Sequence, residues 1–444
     1  MKRYLLLAIF ALSLIRVSAQ EQTVVLLNYN TLQKKLEKSN AEIENPKKNA
    51  SSATWVKRGK LFQDIFMLDL EQVNEGMGAQ QLQLFYKEPL NIVSETDKDG
   101  NLIEKYEYPH ITYIFNNKAL QSWQKKDLLS EDPLKEAYNS YIKAIELDTK
   151  GTVADKIKPN LDELKLQLKR DGVNSYYTGE YKIALKDFET VLDINKLPSY
   201  KGEVDTLMVQ YSGIICREVA QRTNDKELFK KALGYYQQLA QMGFGGPNTY
   251  LQMKVDYFSL GDTAKALDIL KEAYAKYPDT VNIVANVADT YILMKDINNG
   301  LKFIDEVTTS TPDMAEAYYW KGRMYINSED EDRIDKAVEA YKKASSINDG
   351  IYYVWYDLGY IYFLQGQDLY ERSNDETNDA RRNKMIEMAH EKYQEAIPAL
   401  EKSMQLNTSN RDVKWETLDV LQRIYYKEQM MEKYEEVKRL KSEF

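Results

Sequence analysis

The chain has 444 residues, of which 60 are lysine or arginine and 69 are aspartate or glutamate, so its formal net charge is −9. Because a nucleic-acid surface needs a basic face to neutralise phosphates, this acidic balance argues against nucleic acid as a partner. The single cysteine, Cys216, excludes an intramolecular disulfide.

The N-terminus predicts a secretory signal peptide over residues 1–19. A basic start precedes an apolar run over residues 4–15, and small residues typical of a cleavage site follow it. The run is too short to span a bilayer, and no cysteine follows it to carry a lipid anchor. We therefore expect an exported protein without a transmembrane span, in the periplasm or, alternatively, outside the cell or at the outer membrane.

Residues 20–148 predict a helical hairpin interrupted by a β insertion at about 78–126. Gly59 lies in one apolar helical pattern and Ala137 in another, which begins with a first-turn proline. Alternating β-branched and aromatic residues between them are typical of strands, and turn signals separate these strands. We expect a small antiparallel sheet with strands at residues 83–85, 91–95, 102–108, 111–115 and 119–123.

From residue 149 onward the sequence is periodic. Pro278 and Pro312 lie 34 residues apart, and each ends a pattern with small residues in the middle of two helices. A helical hairpin of this kind cannot bury its apolar face alone, so it stacks on its neighbours. Residues 149–414 therefore predict an array of hairpins, and the charged, amphipathic residues 415–444 predict capping helices.

Two units of the array depart most from the regular spacing. Gly213 and Ala232, which mark the middles of paired helices, are 19 residues apart rather than 12, and this indicates longer helices or a longer loop. In the unit that begins at Tyr352, the matching Ala396 comes 25 residues late. We expect both helices of that unit to be overlong, with the tip of their hairpin at residues 373–375.

From about Thr31 to the end, the sequence resembles exported bacterial tetratricopeptide-repeat (TPR) proteins. The resemblance implies an all-α fold, a TPR superhelical solenoid of about seven helical hairpins with a small antiparallel β insertion near the N-terminus. It also implies that fixed positions of the first helix in each unit line a concave face. The basic cluster with which some TPR pockets grip a carboxylate does not assemble here, so we do not expect carboxylate capture.

An aromatic stripe occupies these concave positions in the unit that begins at Tyr352. Tyr319 of the preceding unit should lie beside the stripe, with Phe258 and Tyr176 further along. Tyrosine combines an apolar ring with a polar tip, so one interpretation is a groove for a partner. The other is that the overlong hairpin or the C-terminal cap buries the stripe as core. Its four members are Tyr353, Tyr356, Tyr360 and Phe363.

The sequence predicts no catalytic, cofactor or metal site. His110 and His390 lack a second ligand at zinc spacing, and the glycine-rich residues 243–247 lack the lysine and hydroxyl of a phosphate loop. Acidic residues follow surface helical spacing, so we expect no carboxylate pair with a shifted pKa. We therefore expect a protein that is not an enzyme and has no cofactor.

Three Asp-Thr-apolar triplets place a threonine at Thr206, Thr263 and Thr280. Some exported bacterial proteins are O-glycosylated at a similar pattern. Asp and Thr also cap helices at repeat junctions, and we expect caps at all three positions.

These patterns together predict a non-enzymatic scaffold of the bacterial cell envelope. Its partners would be envelope or secreted proteins, held on the concave TPR surface or on the β insertion. The alternative is a binding protein for a small solute, a peptide or a glycan, that uses an aromatic-lined groove. The sequence carries no signal for an oligomeric state.

Overall fold

A computed structural model describes residues 27–86, 88–198, 200 and 202–442. The predicted signal peptide lies outside these residues. The described part contains twenty helices and four strands. It forms two compact units, one up to Ile215 and the other from Cys216.

The first unit pairs helices that are far apart in sequence as well as adjacent ones. Helix α3 packs directly against α5, although the sheet separates these two helices in the sequence. Helix α7 forms a hairpin with α8. Asp132 caps α5 by accepting the backbone N–H of Lys135, directly before the first-turn Pro133. The helices are α1 (Tyr29–Glu44), α2 (Pro46–Asn49), α3 (Ser52–Met67), α4 (Ala79–Gln83), α5 (Pro133–Glu146), α6 (Val153–Lys156), α7 (Lys158–Thr178) and α8 (Tyr181–Lys196).

Between α4 and α5 lies an antiparallel sheet with the strand order β1-β2-β3-β4. Its strands are β1 (Asn91–Thr96), β2 (Leu102–Glu107), β3 (Ile111–Asn116) and β4 (Ala119–Lys125). The strand expected at residues 83–85 is wrong, because α4 ends at Gln83 and a turn follows. Leu82 is buried there while Leu84 and Phe85 are exposed, and a helical turn rather than alternation produces this pattern.

Helix α9 (Thr206–Thr223) crosses the division between the units. The second unit then continues as consecutive antiparallel hairpins, in which each helix packs against the next. Its helices are α10 (Lys226–Gln241), α11 (Pro247–Ser259), α12 (Thr263–Lys276), α13 (Val281–Leu293), α14 (Ile297–Ser310), α15 (Ala315–Ile326), α16 (Arg333–Ile347), α17 (Tyr352–Asp375), α18 (Asp379–Leu406), α19 (Arg411–Lys427) and α20 (Met431–Ser442).

Glycines in the first helix of a hairpin make room for a large side chain from the second. A Cβ atom at Gly59 would lie 2.5 Å from the ring of Tyr141, and Gly322 faces the ring of Tyr341 in the same way. This small-to-large pairing is the basis of the repeat pattern in the sequence. The predicted fold class, a TPR-like array of helical hairpins with a small antiparallel sheet near the N-terminus, is confirmed.

The two irregular units also have a structural explanation. The wide spacing of Gly213 and Ala232 comes from long helices, since α9 has 18 residues, α10 has 16, and a two-residue turn joins them. The overlong hairpin exists, with 24 residues in α17 and 28 in α18. Its tip lies at residues 376–378 rather than 373–375. Asn378 caps α18 by accepting the backbone N–H of Arg381, and this moves the turn toward the C-terminus.

Aspartates cap helices at two of the three Asp-Thr triplets. Asp205 accepts the backbone N–H of Met208, and Asp262 accepts that of Lys265. At the third, Thr280 occupies the capping position of α13 but makes no side-chain cap hydrogen bond. Glycosylation of Thr206, Thr263 or Thr280 stays a hypothesis.

Candidate functional site

Five of the predicted groove residues, Tyr319 on α15 and four on α17, are called the aromatic row below. The ring of Tyr319 lies 4.6 Å from that of Tyr353, and the stacked rings of Tyr356 and Tyr360 are 5.8 Å apart. Phe363 follows at 6.2 Å from Tyr360. The spacing of these residues along α17 places them on one face of the helix, as the sequence predicts.

The aromatic row is partly core and partly surface. Phe363 is 3% exposed and Tyr319 is 8% exposed, so both contribute to the hydrophobic core of the second unit. Tyr353 and Tyr356 are half-buried, and Tyr360 is 36% exposed. The two interpretations of the stripe therefore apply to different members: the ends pack as core, whereas the middle reaches solvent.

Helix α19 packs beside the aromatic row without covering all of it. The hydroxyl of Tyr356 donates to Glu416 Oε2 at 3.0 Å, and the amide of Asn410 donates to the hydroxyl of Tyr352 at 3.2 Å. Burial, followed by the hydrogen bond to Glu416, raises the pKa of Tyr356. The phenol therefore stays neutral at physiological pH and acts as a hydrogen-bond donor.

A polar cluster lies at the base of the aromatic row. The Arg323 guanidinium donates to the Tyr319 hydroxyl at 3.2 Å and lies 3.8 Å from Asp357 Oδ2. The hydroxyl of Tyr341 donates to the same carboxylate at 3.5 Å. Burial raises the pKa of Asp357, while the charge of Arg323 opposes this shift. The cluster fixes the position of Tyr319 and places a cation at the edge of the row.

The other two predicted groove residues lie elsewhere. Phe258, on α11, has Lys254 Nζ at 4.8 Å from its ring centroid, and no described ring contact joins it to the aromatic row. Tyr176 belongs to the first unit and packs against Tyr177 and Tyr181 at 5.9 and 5.6 Å. Sequence reasoning missed Asp357 and Glu416, because the contact of Glu416 depends on how α19 folds back 60 residues later.

The expectation that no carboxylate pair has a shifted pKa is wrong. Asp171 and Asp187 form a carboxylate pair between α7 and α8, and Asp187 is 1% exposed. Burial, followed by the charge of Asp171, raises the pKa of Asp187 well above its ordinary value, and burial also raises the pKa of Asp171. This pair could not be predicted from the sequence. The two aspartates are on different helices, so their spacing along the chain does not indicate that they meet.

Neither histidine forms a metal cluster within the described part of the chain. His390 Nδ1 lies 2.6 Å from Glu428 Oε1, and His110 Nδ1 lies 3.6 Å from Asp127 Oδ2. No group of three potential ligand side chains occurs among the described residues. A cavity of about 30 Å³ lies beside His110 and Lys125.

Comparison with known proteins gives local likenesses. A family model described as the FAT domain matches residues 213–409, less than half of the chain. No curated protein matches the chain. None of the described helices is long and apolar enough to cross a membrane.

Several solved structures of TPR proteins resemble parts of the chain. A TPR repeats protein from Bacteroides fragilis is 16% identical, with a TM-score of 0.30, covering 58% of this chain and 97% of that one. YrrB, described as a TPR protein with an unusual peptide-binding site, is 17% identical, with a TM-score of 0.30 and coverages of 44% and 91%. A thermophilic TPR protein from Thermus thermophilus is 16% identical, with a TM-score of 0.31 and coverages of 44% and 90%. The sequence identities and TM-scores are too low to support an argument of their own, so the fold rests on the helix pairing described above.

Proposed function

We propose that the protein is a non-enzymatic scaffold that binds a partner protein on the aromatic row. The observation that supports this most directly is the half-exposed middle of the row, at Tyr353, Tyr356 and Tyr360. Interface hot spots are rich in tyrosine and arginine, because these side chains combine a large apolar area with directed hydrogen bonds. Arg323, held at the edge of the row, adds the second of these residue types.

The row is also pre-organised. Tyr319 is held by Arg323, and Tyr356 is held by Glu416, so both rings are ordered before any partner arrives. Binding then loses little side-chain entropy, which is a main cost of association. A partner that covers Tyr360 would remove its exposed ring from water at little further cost.

A second candidate function is binding of a small solute, a peptide or a glycan, on the same row. It is favoured by the stacked rings of Tyr356 and Tyr360, whose planes differ by 12°. Calorimetry with isolated peptides and oligosaccharides separates this function from the scaffold.

The proposal includes export. The predicted signal peptide supports a location in the bacterial envelope or outside the cell, and we propose envelope or secreted proteins as partners. Cell fractionation and N-terminal sequencing test this part. We expect a mature chain that starts near Gln20, and an uncleaved protein in the cytoplasm would rule out export.

The scaffold is tested by replacing Tyr356 and Tyr360 together with alanine and capturing partners from native envelope extract. We expect the captured protein to be lost, because each truncated hot spot costs about 2 kcal/mol or more of binding. The matched control is Tyr426→Ala, which removes a 65% exposed tyrosine of α19 outside the row and should leave capture unchanged. If the double variant unfolds at lower denaturant yet still captures the partner, the row is core and the proposal fails.

A further inference from the structure

The two edges of the β sheet differ in whether other described segments hydrogen-bond to them. At the β4 edge, Leu120 donates its N–H to the carbonyl of Met77 at 2.9 Å and accepts the N–H of Gly76 at 2.8 Å. Further along, the N–H of Trp123 donates to Asn174 Oδ1 of α7 at 2.8 Å. The backbone of this edge is therefore covered by the protein itself, as edges normally are.

Among the described residues, the β1 edge has no such cover. All six residues of β1 are exposed, and no described element pairs with its outer side. The carbonyl of Leu102 accepts the N–H of Asn117 on the β3 side, so the backbone of Leu102 faces away from β1. Its neighbour across the ladder, Thr96, must then direct its own N–H and C=O outward, and so must Ser94 two residues earlier. Within the part of the chain that the structure describes, the result is a row of backbone donors and acceptors that pair with no other strand.

Exposed apolar side chains accompany this edge. Leu90 is 74% exposed, Ile92 is 47% exposed and Val93 is 39% exposed. The pairing of β1 with β2 runs without a register shift, and β1 contains no proline. Bulges and prolines are common devices that protect a free edge from other chains, so β1 is competent to accept another strand.

The charge around β1 indicates what kind of strand fits. Within residues 88–107, six side chains are acidic and two are basic. Glu95, the one charged side chain of β1, pairs with Lys105 of β2 at 2.7 Å, and the other acids lie on β2 or in the segments that flank β1. A second copy of this chain would bring the acidic flanks of one edge against those of another, and this net like charge disfavours the pair. A segment with basic and apolar side chains would instead gain charge complementarity and cover Ile92 and Val93. The acidic residues are Glu88, Glu95, Asp97, Asp99, Glu104 and Glu107.

We propose that β1 binds an extended segment of a partner protein, rich in alternating basic and apolar residues, as an added fifth strand. Main-chain hydrogen bonds supply affinity in this mode, and side-chain pockets supply specificity. The inference goes beyond the proposed function, which assigns partner binding to the aromatic row. Its test uses a synthetic peptide and a different unit of the molecule, so it fails or succeeds independently of the aromatic row.

The experiment measures binding of an end-capped peptide of about ten residues that alternates lysine and valine, by calorimetry or fluorescence anisotropy. Ser94→Pro removes one outward N–H and leaves the ladder to β2 intact, because proline is tolerated where the N–H faces solvent. We expect this variant to bind at least about tenfold more weakly. Ser94→Thr keeps the N–H and should bind like the natural protein.

Two changes on the peptide side keep the test decisive if Ser94→Pro folds poorly. N-methylation of alternate peptide residues removes the donors that face β1, and glutamate in place of lysine reverses the charge; both should abolish binding to the natural protein. The Tyr356→Ala, Tyr360→Ala double variant should bind the lysine peptide normally.

Equal binding by Ser94→Pro or by the methylated peptide would overturn the proposal, and so would no binding by the natural protein or a loss in the tyrosine double variant. A dimer of the natural protein that Ser94→Pro dissociates would identify a second copy as the occupant and would equally overturn it.

Discussion

Asp187 is a buried acid whose side chain interacts with a second acid, Asp171, and no lysine, arginine or backbone N–H of the described residues donates a hydrogen bond to its carboxylate. Lys186 Nζ lies 3.7 Å from Oδ1, and it pairs with Asp132 Oδ2 at 2.5 Å instead. The other charge that acts on the pair is Lys125 on β4, whose effect is on Asp171. Burying an ionised carboxylate without donors is expensive, so the acid prefers its neutral form.

We predict that Asp187→Asn stabilises the protein at neutral pH. A raised pKa in the folded state means that Asp187 favours folding below its ordinary pKa, near 3.8, and loses this contribution as pH rises toward the folded value. Asparagine cannot ionise, so the gain should be absent at low pH and grow as pH rises, reaching on the order of 1 kcal/mol or more. Urea unfolding between acidic and neutral pH measures it.

The control for this prediction is Asp193→Asn on the same helix. The side chain of Asp193 is 55% exposed and pairs with Lys196 at the surface, so its replacement should change stability by less than about 1 kcal/mol. A pH-independent loss of stability in Asp187→Asn would show that the carboxylate has a donor in solution.

The hairpins, as elements, depend on small residues that face large ones. A Cβ atom at Gly322 on α15 would lie within 3 Å of the ring of Tyr341 on α16, and that ring is 1% exposed and packs against Tyr319. We predict that Gly322→Ala destabilises the second unit by about 1–3 kcal/mol through overpacking. Thermal or urea unfolding followed by circular dichroism measures this.

Gly234 on α10 provides the opposite case. A Cβ atom at this helical position would meet nothing within 4 Å. Gly234→Ala should therefore stabilise the protein by about 0.4–1 kcal/mol, because alanine restricts the unfolded chain and favours the helix. Equal effects at the two glycines would refute the packing account.

The pattern of small and large residues explains what the sequence could predict at this scale. Gly59, Gly172 and Gly322 each mark a helix whose partner carries a ring, so hairpins were predictable from spacing alone. The sheet was predictable from alternation and turns. The Trp123–Asn174 contact that joins the sheet to α7 was not, since it links residues 51 positions apart without any periodic signal. The same holds for Glu416, which reaches Tyr356 only after α19 has packed.

At the scale of the whole molecule, each hairpin contacts mainly its neighbours, so stability is approximately a sum of local terms. We predict that a fragment of residues 206–444, which keeps α9 whole, folds on its own. It should show a helical circular-dichroism spectrum and a cooperative urea transition, with bound partner retained on the aromatic row. A fragment with no cooperative transition would mean that the second unit needs the first.

The long hairpin of α17 and α18 has a mechanical consequence. A Cβ atom at Gly359 or Gly366 would lie 2.7 Å from Leu400 or Tyr393, so each bulky side chain occupies a notch in the opposite helix. Sliding one helix by a single turn, about 5.4 Å, would replace the glycine with a residue four positions away. At Gly366 these are Tyr362 and Tyr370, and at Gly359 they are Trp355 and Phe363, which are all too large for the notch. A force along the hairpin axis should therefore not make α17 and α18 slide past each other. The two helices should separate sideways before either shifts by one turn.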